Sequence, residues 1–384
     1  MQEDFRVIRQ YNFPTTIRFG AGASAELADC LRSSGLQRPI LVTDPQVESL
    51  EFFRKIRQSL VNSSLAPETF SRIHKNPVKS DVLLAGESYH QTNRDCIVGI
   101  GGGAAMDVAR ALALHAHHAR DLFDYDDLIG GEQYVTETIP PFFTMPTTSG
   151  TGSEVGRSAI ISEDESHRKR ILFSPKLMAR VVFADPLLTM DLPPFITAAT
   201  GMDALTHHME AFVAKGFHPL CEGIALEGMR LIYQSIEEAV RRPDLPSRGR
   251  MMIASLMGAV AFQKGLGVVH SLAHPLSSLL DTHHGLANAV NLPAGLRFNG
   301  PGLEPAFRRM ARAMDLASDS VQAVVAAVVG LNASIGLPSN LRALGVSQEH
   351  LDVLPDLALA DFCHPSNPRP VSREDFSRLY RESW

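Results

Sequence analysis

Two pairs of residues at helical spacing carry most of the chemistry this sequence offers. Asp203 and His207 stand four apart in Gly201-Met-Asp-Ala-Leu-Thr-His207, which puts a carboxylate and an imidazole on one helix face a turn apart. His270 and His274 repeat the spacing in Val269-His-Ser-Leu-Ala-His274, and His284 follows just before Gly285. Together these side chains could supply one oxygen and three nitrogens to a divalent cation, leaving a position for water or substrate. Their softness suits Zn2+ or Fe2+ alike. HEXXH is absent, because position 271 is Ser, so a metalloprotease would lack its general base. Two histidines and a carboxylate also describe a non-haem iron oxygenase, which calls for a β-rich scaffold and no nucleotide loops. Among the other histidines, His115, His117 and His118 read as a solvated helix end, and His208 points away from His207.

Three further segments suit a nucleotide. An apolar strand over 97–100 runs into Gly101-Gly102-Gly103, and a helix pattern starts at Ala104. A strand, a glycine turn and a helix N-terminus gather backbone N–H groups and a positive dipole, which suits a pyrophosphate, although the spacing is not GxGxxG. Pro146-Thr-Thr-Ser-Gly-Thr-Gly-Ser153 follows a second apolar strand and can donate to phosphate or ribose through hydroxyls and backbone. Asp44 closes the strand at 40–43; a carboxylate there accepts both hydroxyls of an adenosine ribose and repels a 2′-phosphate.

The elements that must hold these groups fall into two textures. Short β-branched or apolar runs at 16–19, 39–43, 95–100, 141–145, 159–162 and 180–184 alternate with amphipathic stretches such as 47–61 and 104–117. That is an α/β pattern with a parallel sheet. After Asp191-Leu-Pro-Pro194 helical patterns take over, at 197–214, 221–240, 249–264, 304–316 and 321–335, with 241–250 a loop rich in Pro, Arg and Ser. We expect an α/β dinucleotide-binding domain over 1–190 and an all-α metal-binding, catalytic domain over 191–384. The 384 residues carry a net charge of −6, which leaves no footprint for nucleic acid or an anionic membrane surface. No apolar run reaches the ~18 residues of a membrane span, and the acidic start MQEDFRVIRQYNFP is no signal peptide. Four scattered cysteines form neither a disulfide framework nor a CxxC site, which points to a cytoplasmic protein.

Taken together, Gly101-Gly-Gly-Ala-Ala-Met-Asp-Val-Ala-Arg110, Pro146-Thr-Thr-Ser-Gly-Thr-Gly-Ser-Glu-Val155, Gly201-Met-Asp-Ala-Leu-Thr-His207, Gly265-Leu-Gly-Val-Val-His-Ser-Leu-Ala-His-Pro275 and His284-Gly-Leu-Ala-Asn-Ala289 resemble the iron-containing (group III) alcohol dehydrogenases. The resemblance implies a dehydroquinate synthase-like architecture and an NAD(H)-linked alcohol dehydrogenase or aldehyde reductase acting on a small alcohol, in a homo-oligomer, commonly a dimer. It implies that Asp203, His207, His270 and His284 bind Fe2+ (or Zn2+), while His274 sits beside the nicotinamide without being a ligand. It puts Asp44, Asn76, Gly102, Gly103, Thr147, Thr148 and Lys169 where the family binds NAD(H). Ala104 and Arg110 depart from the family's usual Ser and Lys. The acid at Asp203 favours a metal-dependent dehydrogenase over the related maleylacetate reductases, which usually carry Asn there. A metal-dependent lyase or synthase on the same scaffold is the other alternative. Ala261-Phe-Gln-Lys-Gly-Leu-Gly-Val-Val-His-Ser271 and Cys363-His-Pro-Ser-Asn-Pro368 are similar to the branch containing 4-hydroxybutyrate dehydrogenases, which implies a cation for a substrate carboxylate. Arg157 is the candidate, since a guanidinium grips a carboxylate bidentately.

Overall fold

The computed structural model describes Phe13 and residues 15–384; the rest of the opening segment, read above as carrying no leader, lies outside the described residues. The strands are β1 (Thr16–Phe19), β2 (Pro39–Val42), β3 (Glu68–Phe70), β4 (Cys96–Gly101), β5 (Phe142–Pro146), β6 (Ser158–Ser162), β7 (Lys169–Phe173) and β8 (Val181–Ala184). The helices of the same half are α1 (Leu27–Ser33), α2 (Pro45–Glu48), α3 (Glu51–Asn62), α4 (Lys79–Gln91) and α5 (Gly103–His115). Those that follow are α6 (Pro194–Val213), α7 (Pro219–Arg241), α8 (Leu245–Ala261), α9 (Val268–Leu280), α10 (His284–Asn299), α11 (Glu304–Ala313), α12 (Val321–Ser334), α13 (His350–Leu359) and α14 (Arg373–Ser383). By contact the chain forms two compact units: residues 15–148 with Gly152–Leu192, and Pro193–Trp384 with Ser149–Thr151.

In the first unit six strands pair in the order β1-β8-β5-β4-β2-β3, all in parallel. Every residue of β2, β4 and β5 is buried, as expected of parallel strands covered on both faces. Strand β1 is an edge, tied to β8 by its register and by Asp185, whose carboxylate accepts from the N–H groups of Gly22 and Ser24 at 3.1 Å. Thr15 Oγ1 adds a 2.7 Å bond to Arg180 O across 165 residues of sequence. Strand β6, expected among the alternating set, stays out of this sheet and pairs antiparallel with β7. Only 163–168 connect the two, too short a link for a parallel crossover.

Helix α5 presents a fully buried guanidinium. Arg110 donates to Ser153 Oγ at 2.9 Å and Ser158 O at 2.8 Å, and also to Ser153 O, while Asp107 accepts from Ser153 Oγ at 2.8 Å. The residue that departs from the family pattern thus ties α5 to the chain just beyond the Thr/Gly loop, using the fork that a lysine lacks. Burial pushes the Asp107 carboxyl up to about 6 despite Arg110 and Ser153, and pushes that of Glu154 up to about 7. At the helix end expected to be solvated, His117 is exposed and His115 half-buried, but His118 is not solvated. His118 is buried, with Nδ1 at 2.7 Å from Leu114 O and Nε2 accepting from Thr136 N–H at 2.9 Å.

The second unit is helical and built round α6, whose residues Thr197–Val213 are all buried. Such a helix belongs in the middle of a bundle, and its polar groups must find partners there. Thr206 Oγ1 bonds back to Met202 O at 2.8 Å, and His208 Nε2 lies 2.8 Å from Ala254 O on α8. Helix α8 starts at Leu245, inside the segment read as a loop. Asp244 and Ser247 form a reciprocal capping box, and Pro246 in the first turn costs no hydrogen bond, so the Pro- and Ser-rich stretch starts a helix. Among the described residues no single helix is long and apolar enough to cross a membrane.

Candidate functional site

In the parallel sheet β2, β4 and β5 are neighbours, so the residues after their carboxyl ends share one edge, where open α/β sheets bind ligands. Asp44 caps α2, its Oδ1 accepting from the N–H groups of Gln46 and Val47 at 2.9 Å. Gly101 has φ +152°, and a Cβ there would come within 2.7 Å of Ala105 Cβ and 3.5 Å of Asp44 Oδ2. Thr147 N–H donates to Gly101 O at 2.9 Å, and a Cβ on Gly102 would lie 3.4 Å from Thr148 Cγ2. Gly102 is the N-cap of α5 and brings no capping side chain, so the first-turn N–H groups beginning at Gly103 are left for another acceptor. Asp44, Gly102, Gly103, Thr147 and Thr148 thus lie on one edge. Lys169 opens β7 and pairs with Ser162, whose N–H donates to the carbonyl of Pro77, the residue after Asn76. The Arg157 guanidinium lies over the Phe173 ring at 5.5 Å.

In the helical unit three helices deliver the metal candidates. α6 carries Asp203 and His207, α9 carries His270 and His274, and α10 opens with His284. The close approach of α10 to α6 depends on Gly285, where a Cβ would sit 2.2 Å from Ala199 O. Asp203 Oδ1 lies 3.4 Å from His284 Nε2, 3.9 Å from His270 Nε2 and 3.9 Å from His207 Nε2. One ligand atom from each of Asp203, His270 and His284 falls within 4.8 Å of the others. His207 borders this group, its ring stacked on His270 at 4.8 Å and tilted against Phe262 at 5.1 Å.

Two polar side chains that the sequence reading missed set the chemistry of this cluster. Glu210, a turn beyond His207 on α6, lies 2.6 Å from His270 Nδ1 and accepts from the N–H groups of Gly267 at 3.1 Å and Val269 at 2.6 Å. One buried carboxylate therefore caps α9 and fixes a histidine on it. With Nδ1–H given to Glu210, the lone pair of neutral His270 is on Nε2, toward Asp203. Burial works against protonation of His270, but the hydrogen bond and charge of Glu210 outweigh it and raise its pKa. Burial lowers His207 to about 4, which keeps it neutral near pH 7 and able to ligate. Asn288, a turn after His284, donates to Asp203 Oδ1 at 2.7 Å, and its Nδ2 lies 3.3 Å from His270 Nε2 and 3.1 Å from His284 Nε2. Three acceptor atoms turned toward one buried point fit a divalent cation, and the oxygen–imidazole set suits Fe2+ or Zn2+. Spacing could have revealed Glu210 and Asn288, at i+3 from His207 and i+4 from His284.

His274, a turn further along α9, stands beside the cluster, stacked on His284 at 5.2 Å and lying 5.3 Å from the Phe362 ring. Its Nδ1 is 2.7 Å from Asp361 Oδ2. No spacing in the sequence links those two residues.

The chain matches the family model described as iron-containing alcohol dehydrogenase over residues 14–186, and the C-terminal model of the Fe-containing alcohol dehydrogenase family over 197–384. It is 38% identical to a 4-hydroxybutyrate dehydrogenase of Cupriavidus necator, over 96% of this chain and 98% of that one. A crystal structure of 1,3-propanediol oxidoreductase superposes with a TM-score of 0.93 at 31% identity, covering 98% of this chain and all of that one. A sulfoacetaldehyde reductase from Bifidobacterium kashiwanohense, solved in complex with NAD+, superposes at 0.88 with 28% identity, over 98% of this chain and 99% of that one.

Proposed function

The chain belongs to the iron-containing alcohol dehydrogenase family and is an oxidoreductase, and from that premise we propose that it interconverts a small primary alcohol or hydroxy acid, such as 4-hydroxybutyrate, with its aldehyde. The observation that carries the reading is the convergence of Asp203, His270 and His284 on one buried point, bordered by His207. These four residues would hold Fe2+ or Zn2+. A cation bound there supplies Lewis acidity, which lowers the cost of ionising an alcohol and polarises a carbonyl. His274 exchanges the substrate proton through its imidazole, which can both take up and release one. Asp44, Asn76, Gly102, Gly103, Thr147, Thr148 and Lys169 hold NAD(H), the hydride carrier. Arg157 takes the carboxylate of a hydroxy-acid substrate. The reading includes a cytoplasmic homo-oligomer, a dimer in the first instance.

The test is anaerobic NADH consumption by metal-stripped protein with Fe2+, Zn2+ or no metal restored, using succinic semialdehyde and butyraldehyde. Metal-dependent loss of NADH supports the reading, and a preference for the semialdehyde that disappears in Arg157→Met supports the hydroxy acid. NADH that binds but is never consumed with either metal would put the lyase alternative first.

Nucleotide preference gives a second expectation. Asp44→Gly should raise the NADP+/NAD+ ratio of kcat/KM about tenfold by removing the carboxylate that repels a 2′-phosphate. Glycine is the replacement because it is tolerated at an N-cap at a cost of a few tenths of a kcal/mol, so α2 persists. An unchanged ratio would remove Asp44 from the ribose.

A further inference from the structure

We propose that Asp361 is the positioning residue of His274: it sets which face of the imidazole carries the proton and which the lone pair. The proposal rests on the dehydrogenase reading for its consequence, although its geometry stands apart from it. Asp361 lies in the turn after α13, buried apart from a small fraction of its side chain, and takes three donors. Oδ1 accepts from Ser271 Oγ at 2.7 Å and from the Cys363 N–H at 2.9 Å, while Oδ2 lies 2.7 Å from His274 Nδ1. The Ser271 hydroxyl is itself fixed, accepting from the His364 N–H at 2.9 Å. With Oδ1 occupied by Ser271 and Cys363, the second oxygen is committed to His274.

Packing alone does not decide the state of this ring. His274 lies between His284 and Phe362, which confine its plane. Turning the ring by half a turn about χ2 exchanges Nδ1 with Cδ2 and leaves its outline almost unchanged, so van der Waals contact barely separates the two orientations. A hydrogen bond to one fixed carboxylate oxygen does. With Nδ1 donating to Asp361, the lone pair of the neutral ring falls on Nε2.

The same device occurs one turn earlier on the helix. His270 Nδ1 is held at 2.6 Å by Glu210 from α6, and His274 Nδ1 at 2.7 Å by Asp361 from the turn after α13. Each α9 histidine is thus clamped at Nδ1 by a carboxylate from outside the helix and offers Nε2 for work, His270 toward a cation and His274 toward a proton. His274, Asp361 and Cys363 also stand close enough to ligate an ion together, but the hydrogen bond between the first two already satisfies both.

The test begins on metal-free protein labelled with 15N-histidine, where long-range proton–nitrogen spectra distinguish the tautomers and the His274 signal is identified by its loss in His274→Ala. The parent should show the Nδ1–H form, with the Nε2–H form appearing in Asp361→Ala and Asp361→Asn. In metal-loaded protein both variants should lower kcat about tenfold to a hundredfold, with the KM for NAD+ and the bound metal unchanged. In a His274→Ala background, Asp361→Ala should cost less than twofold more. An unshifted tautomer, or an equal loss in both backgrounds, overturns the proposal and makes Asp361 merely structural. If Asp361→Ala fails to fold, the isosteric Asp361→Asn carries both measurements. A parent that turns over with neither metal sinks the dehydrogenase reading, while the spectra still decide whether Asp361 sets the tautomer.

Discussion

His284→Ala should abolish measurable turnover while leaving NAD+ affinity within about twofold of the parent. His284 opens α10 and its Nε2 lies 3.4 Å from Asp203 Oδ1, so its loss takes one nitrogen from the converging set. A Lewis acid contributes several kcal/mol to ionising an alcohol, and losing about 4 kcal/mol is roughly a thousandfold in rate. The substitution is suited to the question because the side chain is 27% exposed, so its removal opens no sealed cavity. The Gly and Thr residues assigned to the nucleotide, with Asp44, belong to the other compact unit. Steady-state kinetics, metal content and an NAD+ titration on the same preparation decide the matter. Parallel loss of turnover and NAD+ binding would make His284 a structural residue.

Glu210 should separate stability from metal affinity. Glu210→Ala removes one carboxylate from four buried donors, the N–H groups of Gly267, Val269 and His270 and Nδ1 of His270, and leaves them without that acceptor. Orphaned buried donors cost about 1–3 kcal/mol each, read as a lower midpoint in denaturant with an unchanged slope. Glu210→Gln keeps the shape and one acceptor oxygen but loses the charge that holds the His270 tautomer. It should fold close to the parent and bind Fe2+ or Zn2+ about tenfold to a hundredfold more weakly in a competitive titration. If the alanine variant is as stable as the parent, the cap on α9 is not what Glu210 supplies. Equal metal affinity in the glutamine variant would mean that packing against His207 fixes His270.

The residues that the sequence made legible are those joined by local spacing. Asp203 with His207, and His270 with His274, are each four apart, and a helix turns that interval into proximity whatever surrounds it. The glycines after β4 were legible for a similar reason: a strand feeding a helix through Gly101 leaves few conformations for the turn. What escaped depends on tertiary pairing. Asp361 reaches His274 from 87 residues away, and no periodicity encodes that meeting. The β6–β7 hairpin escaped because a five-residue apolar strand looks the same in either sheet, and only the link of 163–168 settles its partner. Helix α8 starts earlier than its sequence suggests because proline and serine read as loop formers, whereas after Asp244 they start a helix. His118 reads as solvated because nothing in its own segment reveals that Thr136 folds back onto it.

The edge strand β1 has a consequence for how the chain is made. Among the described residues it pairs only with β8, and Thr15 bonds Arg180 across 165 residues. At translation rates of about 5–20 residues per second, β1 waits roughly 8–30 seconds for the strand that completes it. Through that interval its backbone N–H and C=O groups and the apolar Ile17 and Phe19 have no β8 to pair with, while β2, β3 and β4 already have one another. The sheet therefore closes last at the strand synthesised first. In a cell, a chain stalled before residue 181 would display an open strand edge to chaperones and to other nascent chains.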